Sequence, residues 1–197
     1  WPADMLLNMQ LGLLLDRVGV RLGLGLAVLW WSIGNGLHAF AASVWEFRLF
    51  RFWLGTGECG NYSGGNKVVA QWFPVKERAL AIGVFNSASM AGSFLAPFLV
   101  IPVAQRYGWR AGFLVPSALG LVWVVAWWWT YRQPAQHPTV SAAEVAYIQE
   151  GQAETEAPPR TRDLLRLRQT WGLMICRFWV GPVVQFYIYW LPNYLRD

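Results

Sequence analysis

"RFWLGTGECGNYSGGN", residues 51–66, carries an arginine, a glutamate, two asparagines and five glycines inside an apolar stretch running from about 47 to 70. Two readings compete for it, and they imply different folds. Gly55-Thr-Gly57-Glu-Cys-Gly60 spells GxGxxG, the fingerprint of a dinucleotide-binding turn. That function needs a strand before the glycines and a soluble helix after them, so that backbone N–H groups face a pyrophosphate. Here the glycines lie within a run long enough to cross a membrane, where small residues let helices approach closely. The membrane reading is adopted, and the enzyme reading is set aside.

The composition agrees. Of 197 residues, 55% are hydrophobic and 14% charged, with 14 Trp, 11 Phe and 7 Tyr, too little polar surface to coat a soluble globule. Hydropathy gives a partial run at about 1–15 and full runs at about 22–42, 47–70, 79–101, 111–131 and 171–195. A helix needs about 20 apolar residues to cross the hydrocarbon layer, so the expectation is an all-α membrane protein with six spanning helices, the first truncated. The sequence opens on Trp1 with an apolar run already under way, and a fragment of a longer chain is expected.

Lys and Arg are unevenly shared between alternate links. Arg17, Arg21, Lys67, Lys76, Arg78, Arg132, Arg160, Arg162, Arg166 and Arg168 fall on one side; Arg48, Arg106, Arg110 and Arg196 fall on the other. The positive-inside rule makes the first side cytoplasmic. The net charge of +5 therefore reflects topology rather than a nucleic-acid-binding face. Residues 132–170 read as a cytoplasmic connector between a bundle at 1–131 and a further helix at 171–197. Ser141 and Glu144 have capping-box spacing, which predicts a short helix there, and "RDLLRLRQ" reads as an amphipathic segment at the membrane surface. Cys59 and Cys176 lack metal-ligand spacing and read as small buried hydrophobes. His38 and His137 read as incidental, and Asp4 cannot be interpreted. Rows of small residues at 79–101 (Gly83, Ser87, Ala91; Ala88, Gly92, Ala96) read as helix-packing stripes.

Arg51 and Glu58 are seven positions apart, nearly two full turns, so they share a helix face about 10 Å apart along the axis. Asn61 and Tyr62 extend that face. A charge at mid-membrane costs about 2.5–3.5 kcal/mol on insertion scales and is normally turned toward a water-filled cavity or an ionic partner. A carboxylate in such a setting changes protonation when a partner cation moves or an anion arrives, as proton coupling requires. Arg177, also within an apolar run, can grip a carboxylate bidentately; Gln185 and Tyr187 beyond it can meet hydroxyl groups. Gly181-Pro182 is expected to loosen that helix.

"GLLLDRVGVR", Gly12 to Arg21, resembles the GxxxDRxGxR loop signature of the major facilitator superfamily, with Gly12, Asp16, Arg17, Gly19 and Arg21 in place. "RFWLGTGE", "WFPVKERALAIGVFNSAS" and "YGWRAGF" resemble its anion:cation symporter branch. "YRQPAQHPTVSAAEVAYIQEGQ" and "RQTWGLMICRFWVGPVVQFYIYWLPNYL" are similar to hexuronate transporters. The resemblance implies a partial major-facilitator fold: the N-terminal six-helix bundle lacking its first helix, the connector, and the first helix of the C-terminal bundle, which are helices two to seven of twelve. It implies a proton-coupled symporter of a sugar-acid anion in a bacterial inner membrane, working as a monomer by alternating access, with no cofactor or metal and no enzymatic activity. Either H⁺ or Na⁺ could be the coupling ion. It implies Glu58 and Arg51 as the coupling pair, Asn86, Ser89 and Arg177 as substrate contacts, and Asp16 and Arg17 in the gate. Alternatives are another transported anion, such as galactonate, glucarate or an aromatic acid, or a non-transporting membrane scaffold or sensor.

Overall fold

The computed structural model describes residues 18–150 and 166–194; the side chains of Cys59, Arg177, Gln185, Ile188, Tyr189, Pro192 and Asn193 lie outside that description. So do the truncated first run with Asp4, the gate residues Gly12, Asp16 and Arg17, and the first half of the "RDLLRLRQ" segment. The described residues form helices and turns without a strand. The helices are α1 (Val20–Leu37), α2 (Val44–Trp72), α3 (Arg78–Tyr107), α4 (Trp109–Thr130), α5 (Ala142–Gln149), α6 (Arg168–Tyr189) and α7 (Leu191–Tyr194), with 3-10 turns at His38–Phe40 and Pro134–Gln136. The chain divides into two compact units, Trp1–Gln152 and Ala153–Asp197.

Local chemistry sets the boundaries. Ser43 caps α2 in a full capping box: its hydroxyl accepts from the Glu46 amide at 3.2 Å while the Glu46 carboxylate accepts from the Ser43 amide at 3.3 Å. Phe73 is extended ahead of Pro74, the conformation a following proline favours. Hydropathy ends the third full run at 101, but α3 continues to Tyr107 through both Pro97 and Pro102. Only Gly108, at φ +87°, supplies the left-handed backbone that stops α3 and starts α4. In α5, Ser141 accepts from the Glu144 amide at 3.2 Å, as the spacing predicted. α6 runs unbroken through Pro182, so Gly181-Pro182 does not interrupt it.

α3 and α4 are long and apolar enough, by length and composition, to cross a membrane. α2 has the length, at 29 residues or about 43 Å, but Arg51, Glu58, Lys67 and its glycines and amides dilute its apolar character.

In the first unit, α1 packs between α2 and α4, and Leu24, Val28 and Val124 form the buried core with Trp31, Val68, Trp127 and Trp128 against it. The α1–α4 contact is made of small and polar groups. A Cβ on Gly120 would collide with the Ser32 side chain, so only glycine leaves room for that hydroxyl here. Asn35 Nδ2 donates to the Phe113 carbonyl at 2.9 Å and to Ser117 Oγ at 3.0 Å. Interhelical bonds of this kind contribute about 0.6–2 kcal/mol in a bilayer. Asn35→Leu should therefore lower stability by about 1 kcal/mol, read as the shift in the midpoint of denaturant unfolding in detergent.

α3 contrasts with α1, since none of its residues is buried. An added Cβ on Gly83 or Gly92 would meet nothing within 4 Å. The small-residue rows expected to pack therefore face no close neighbour among the described residues.

His38, read as incidental from sequence, is 1% exposed. Its Nδ1 lies 2.7 Å from the Gly34 carbonyl, and its ring stacks on Phe113 and meets the edge of Phe47. It is a core residue tying the end of α1 to α2 and α4. Cys176 is an exposed free thiol rather than a buried hydrophobe. His137 Nδ1 lies 2.8 Å from the Thr139 hydroxyl, and its ring meets Trp72 edge-on at 5.5 Å between centroids.

Candidate functional site

The glycines of residues 51–66 sort onto different sides of α2. A Cβ on Gly57 would lie 2.9 Å from the Trp31 backbone N, on Gly60 2.9 Å from Ala27 Cβ, and on Gly64 2.7 Å from Leu24 Cδ1. Positions 57, 60 and 64 are three and four apart, so they form one stripe, pressed against α1. From the other helix, a Cβ on Gly34 would meet Trp53 at 2.7 Å and the Leu54 backbone at 3.1 Å. Trp30 and Trp53 stack across this seam with centroids 4.2 Å apart and planes 10° from parallel. Each indole N–H donates to the other's backbone carbonyl at 3.2 Å, and Trp30 Nε1 also donates to Thr56 Oγ1 at 3.0 Å. The GxGxxG pattern is thus a packing seam, and Gly55, with nothing within 4 Å of an added Cβ, does not belong to it.

The polar residues lie off this stripe. Arg51, Glu58, Asn61 and Tyr62 are all exposed. Because α2 starts at Val44, Arg51 lies about two turns inside the helix rather than one. Arg51 makes no ion pair among the described residues, and Arg51 and Glu58 do not pair with each other. Glu58 is engaged in a contact of its own. Asn66, four positions beyond Tyr62, continues the stripe. Its Oδ1 is buried without a hydrogen-bond partner among the described residues, and the four-residue spacing from Tyr62 is the sequence signal that places Asn66 on this face.

The five-residue link 73–77 turns the chain back, so α3 returns antiparallel to α2. The Arg78 guanidinium secures the turn, donating to the Ala70 carbonyl at 2.9 Å and to the Phe73 carbonyl at 3.3 Å. Phe85 of α3 packs on Gly65, where an added Cβ would lie 2.5 Å from the ring. Ser89 is one turn past Phe85 and Asn61 one turn before Gly65, which brings both to a similar height in the antiparallel pair. Asn86 and Ser89 are exposed.

In the second unit, Arg177, Gln185 and Tyr187 lie along α6, with Tyr187 exposed. Of the loop signature, two residues are described. Gly19 adopts φ +85° just before α1, a conformation that excludes side chains more by backbone than by crowding. The Arg21 guanidinium donates to the Trp128 carbonyl, and the Trp127 indole donates back to the Arg21 carbonyl at 3.0 Å. Arg21 thereby fastens the start of α1 to the end of α4.

Comparison with known proteins places this helical assembly. The sequence profile of the Major Facilitator Superfamily matches residues 3–197. The chain is 33% identical over 189 residues to the probable L-galactonate transporter of Escherichia coli (strain K12), covering 94% of this chain and 42% of that protein. It is 33% identical over 189 residues to the galacturonate transporter of Dickeya chrysanthemi, covering 93% and 55%. With the hexuronate transporter of Escherichia coli (strain K12) it shares 30% identity over 189 residues, covering 93% and 44%. A solved structure, of a bacterial homolog to the human lysosomal transporter Spinster in an inward-facing and occupied conformation, superposes with a TM-score of 0.51 at 26% identity, covering 66% of this chain and 34% of the other. The chain spans about half the length of the curated relatives it matches. With helices and turns throughout the described residues and a profile match over residues 3–197, the chain belongs to the Major Facilitator Superfamily.

Proposed function

We propose that the full-length protein is a secondary transporter that carries a sugar-acid anion, a hexuronate such as glucuronate or galacturonate, together with a proton across a bacterial inner membrane by alternating access. The observation that carries this reading is the division of α2. Glycines lock one side to α1, while Arg51, Glu58, Asn61 and Tyr62 stand exposed off that seam. A membrane helix retains such groups where they meet a polar path or a ligand. The names of the relatives, galacturonate, hexuronate and L-galactonate transporters, support the substrate class.

In this reading Glu58 takes the coupled proton. Arg51 offers its guanidinium to the anion rather than to Glu58, since the two lie about 10 Å apart along the helix. Asn61, Tyr62, Asn86, Ser89, Gln185 and Tyr187 address substrate hydroxyls, and Arg177 addresses the carboxylate. Gly12, Asp16, Arg17, Gly19 and Arg21 form the gate. The distribution of Lys and Arg supports a cytoplasmic connector at 132–170, and one copy of the protein suffices.

Arg177→Lys tests the bidentate grip. A lysine keeps the charge and loses the planar fork, so the half-saturating substrate concentration should rise about tenfold, equivalent to about 1.4 kcal/mol, with little change in maximal exchange rate. Substrate class is tested by counterflow of labelled glucuronate in liposomes against unlabelled hexuronates, aldonates and aldarates. Competition by glucuronate and galacturonate supports the proposal. Competition by galactonate or glucarate alone replaces the hexuronate with that acid.

A further inference from the structure

At the end of the first unit where the connector packs, the close of α2, the link to α3, the residue after α4 and helix α5 line an open pocket of about 470 Å³. The proposed transport cycle makes no use of it. Its walls are aromatic: Trp72 and Tyr131 meet at 59° with centroids 6.5 Å apart, and Tyr147 closes the α5 side. Ile148 anchors α5 there, 6% exposed.

Two carboxylates, Glu77 and Glu144, also line the pocket. Tyr147 donates its hydroxyl to Glu77 Oε1 at 2.5 Å. That hydrogen bond, with the charge of the same carboxylate, holds the phenol above the ordinary tyrosine range. Glu144 uses only its backbone N–H, toward Ser141, and its carboxylate has no partner among the described residues. The neighbouring cations are engaged elsewhere, Lys76 by Glu150 at 3.1 Å and Arg78 by the Ala70 and Phe73 carbonyls. Two exposed carboxylates thus line an aromatic pocket whose lining includes no lysine or arginine.

Aromatic faces attract organic cations through the ring quadrupole, and carboxylate oxygens accept the N–H donors of an ammonium group. A divalent metal would call instead for a shell of oxygen ligands, which these walls do not offer. We propose that this pocket binds a primary ammonium group, with Glu77 and Glu144 accepting its N–H bonds and Trp72, Tyr131 and Tyr147 packing on its alkyl stem. Such a group reaches this end of the bundle either on the headgroup of an aminophospholipid or as a free soluble amine.

The test uses the full-length protein in phosphatidylcholine nanodiscs, titrated calorimetrically with n-propylammonium chloride against sodium chloride at equal ionic strength. In parallel, native mass spectrometry of protein released from mixed phosphatidylethanolamine and phosphatidylcholine nanodiscs reads lipid retention. Wild type should bind n-propylammonium, and Glu144→Gln should weaken binding about tenfold with an unchanged unfolding midpoint, because the substitution removes no described contact. Glu77→Gln should weaken it as well. Enrichment of phosphatidylethanolamine that Glu144→Gln removes assigns the site to the lipid; amine binding without enrichment assigns it to a soluble amine. Failure of both probes to bind wild type, or binding unchanged in both variants, overturns the proposal.

Discussion

Glu58→Gln should abolish accumulation of glucuronate against its gradient while leaving exchange of labelled for unlabelled substrate within about twofold of wild type. The two measurements separate because exchange requires only that the loaded carrier reorient, whereas accumulation requires a proton to be bound on one side and released on the other. Glutamine keeps the size and hydrogen-bonding reach of the side chain but cannot titrate. Glu58 is exposed on α2, so the introduced amide is not itself placed in a buried apolar site. With one proton per anion, a pH difference of one unit supplies about 1.4 kcal/mol, or roughly tenfold accumulation. The variant should reach only equal concentrations on the two sides. Loss of exchange and accumulation together would assign Glu58 to substrate binding or to folding instead of coupling.

The second large effect concerns the seam. Gly57→Leu should eliminate the folded protein, seen as loss of the monodisperse peak in size-exclusion chromatography. Even the Cβ of alanine at this position would stand 2.9 Å from the Trp31 backbone N and from Trp31 Cβ, so α1 and α2 must separate. Overpacking a close contact costs about 1–3 kcal/mol. Here separation also breaks the stacked Trp30–Trp53 pair and its reciprocal hydrogen bonds. Gly55→Ala is the control within the same motif. Nothing lies within 4 Å of its added Cβ, and alanine favours helix by about 1 kcal/mol over glycine. It should therefore fold as well as wild type or better. A dinucleotide-binding turn would have no reason to spare the first glycine.

That contrast marks how far the sequence could be read. Period and hydropathy were enough for the helix positions, because burial in lipid imposes a long apolar run whatever the neighbours are. Among the described residues the helices begin within a few residues of the runs, whereas α3 overruns its expected end to reach Gly108 and α6 stops at Tyr189, short of 195. The shared face of Arg51, Glu58, Asn61 and Tyr62 follows from spacing along a single helix.

Which glycines pack depends on where α1 lies around α2. No local pattern encodes that angle, so Gly55 and Gly57 look alike until both helices are in place. For the same reason the small-residue rows of α3 read as a packing stripe, yet Gly83 and Gly92 meet no close neighbour among the described residues. His38 looked incidental because its partners, Phe113 and the Gly34 carbonyl, come from a distant helix and from its own backbone. The spacing of Arg51 and Glu58 gives their common face and a separation of about 10 Å along the axis, and the coupling role proposed for them rests on that placement.

The most direct test of the central claim is uptake of labelled glucuronate and galacturonate by the full-length wild-type protein in sodium-free liposomes, acidic outside, with and without a protonophore. The account predicts roughly tenfold accumulation per pH unit, collapsing to equal concentrations when the protonophore is added. Accumulation that survives the protonophore, or that appears only when sodium is supplied, would contradict proton coupling; no entry of either hexuronate under any gradient would contradict the substrate assignment.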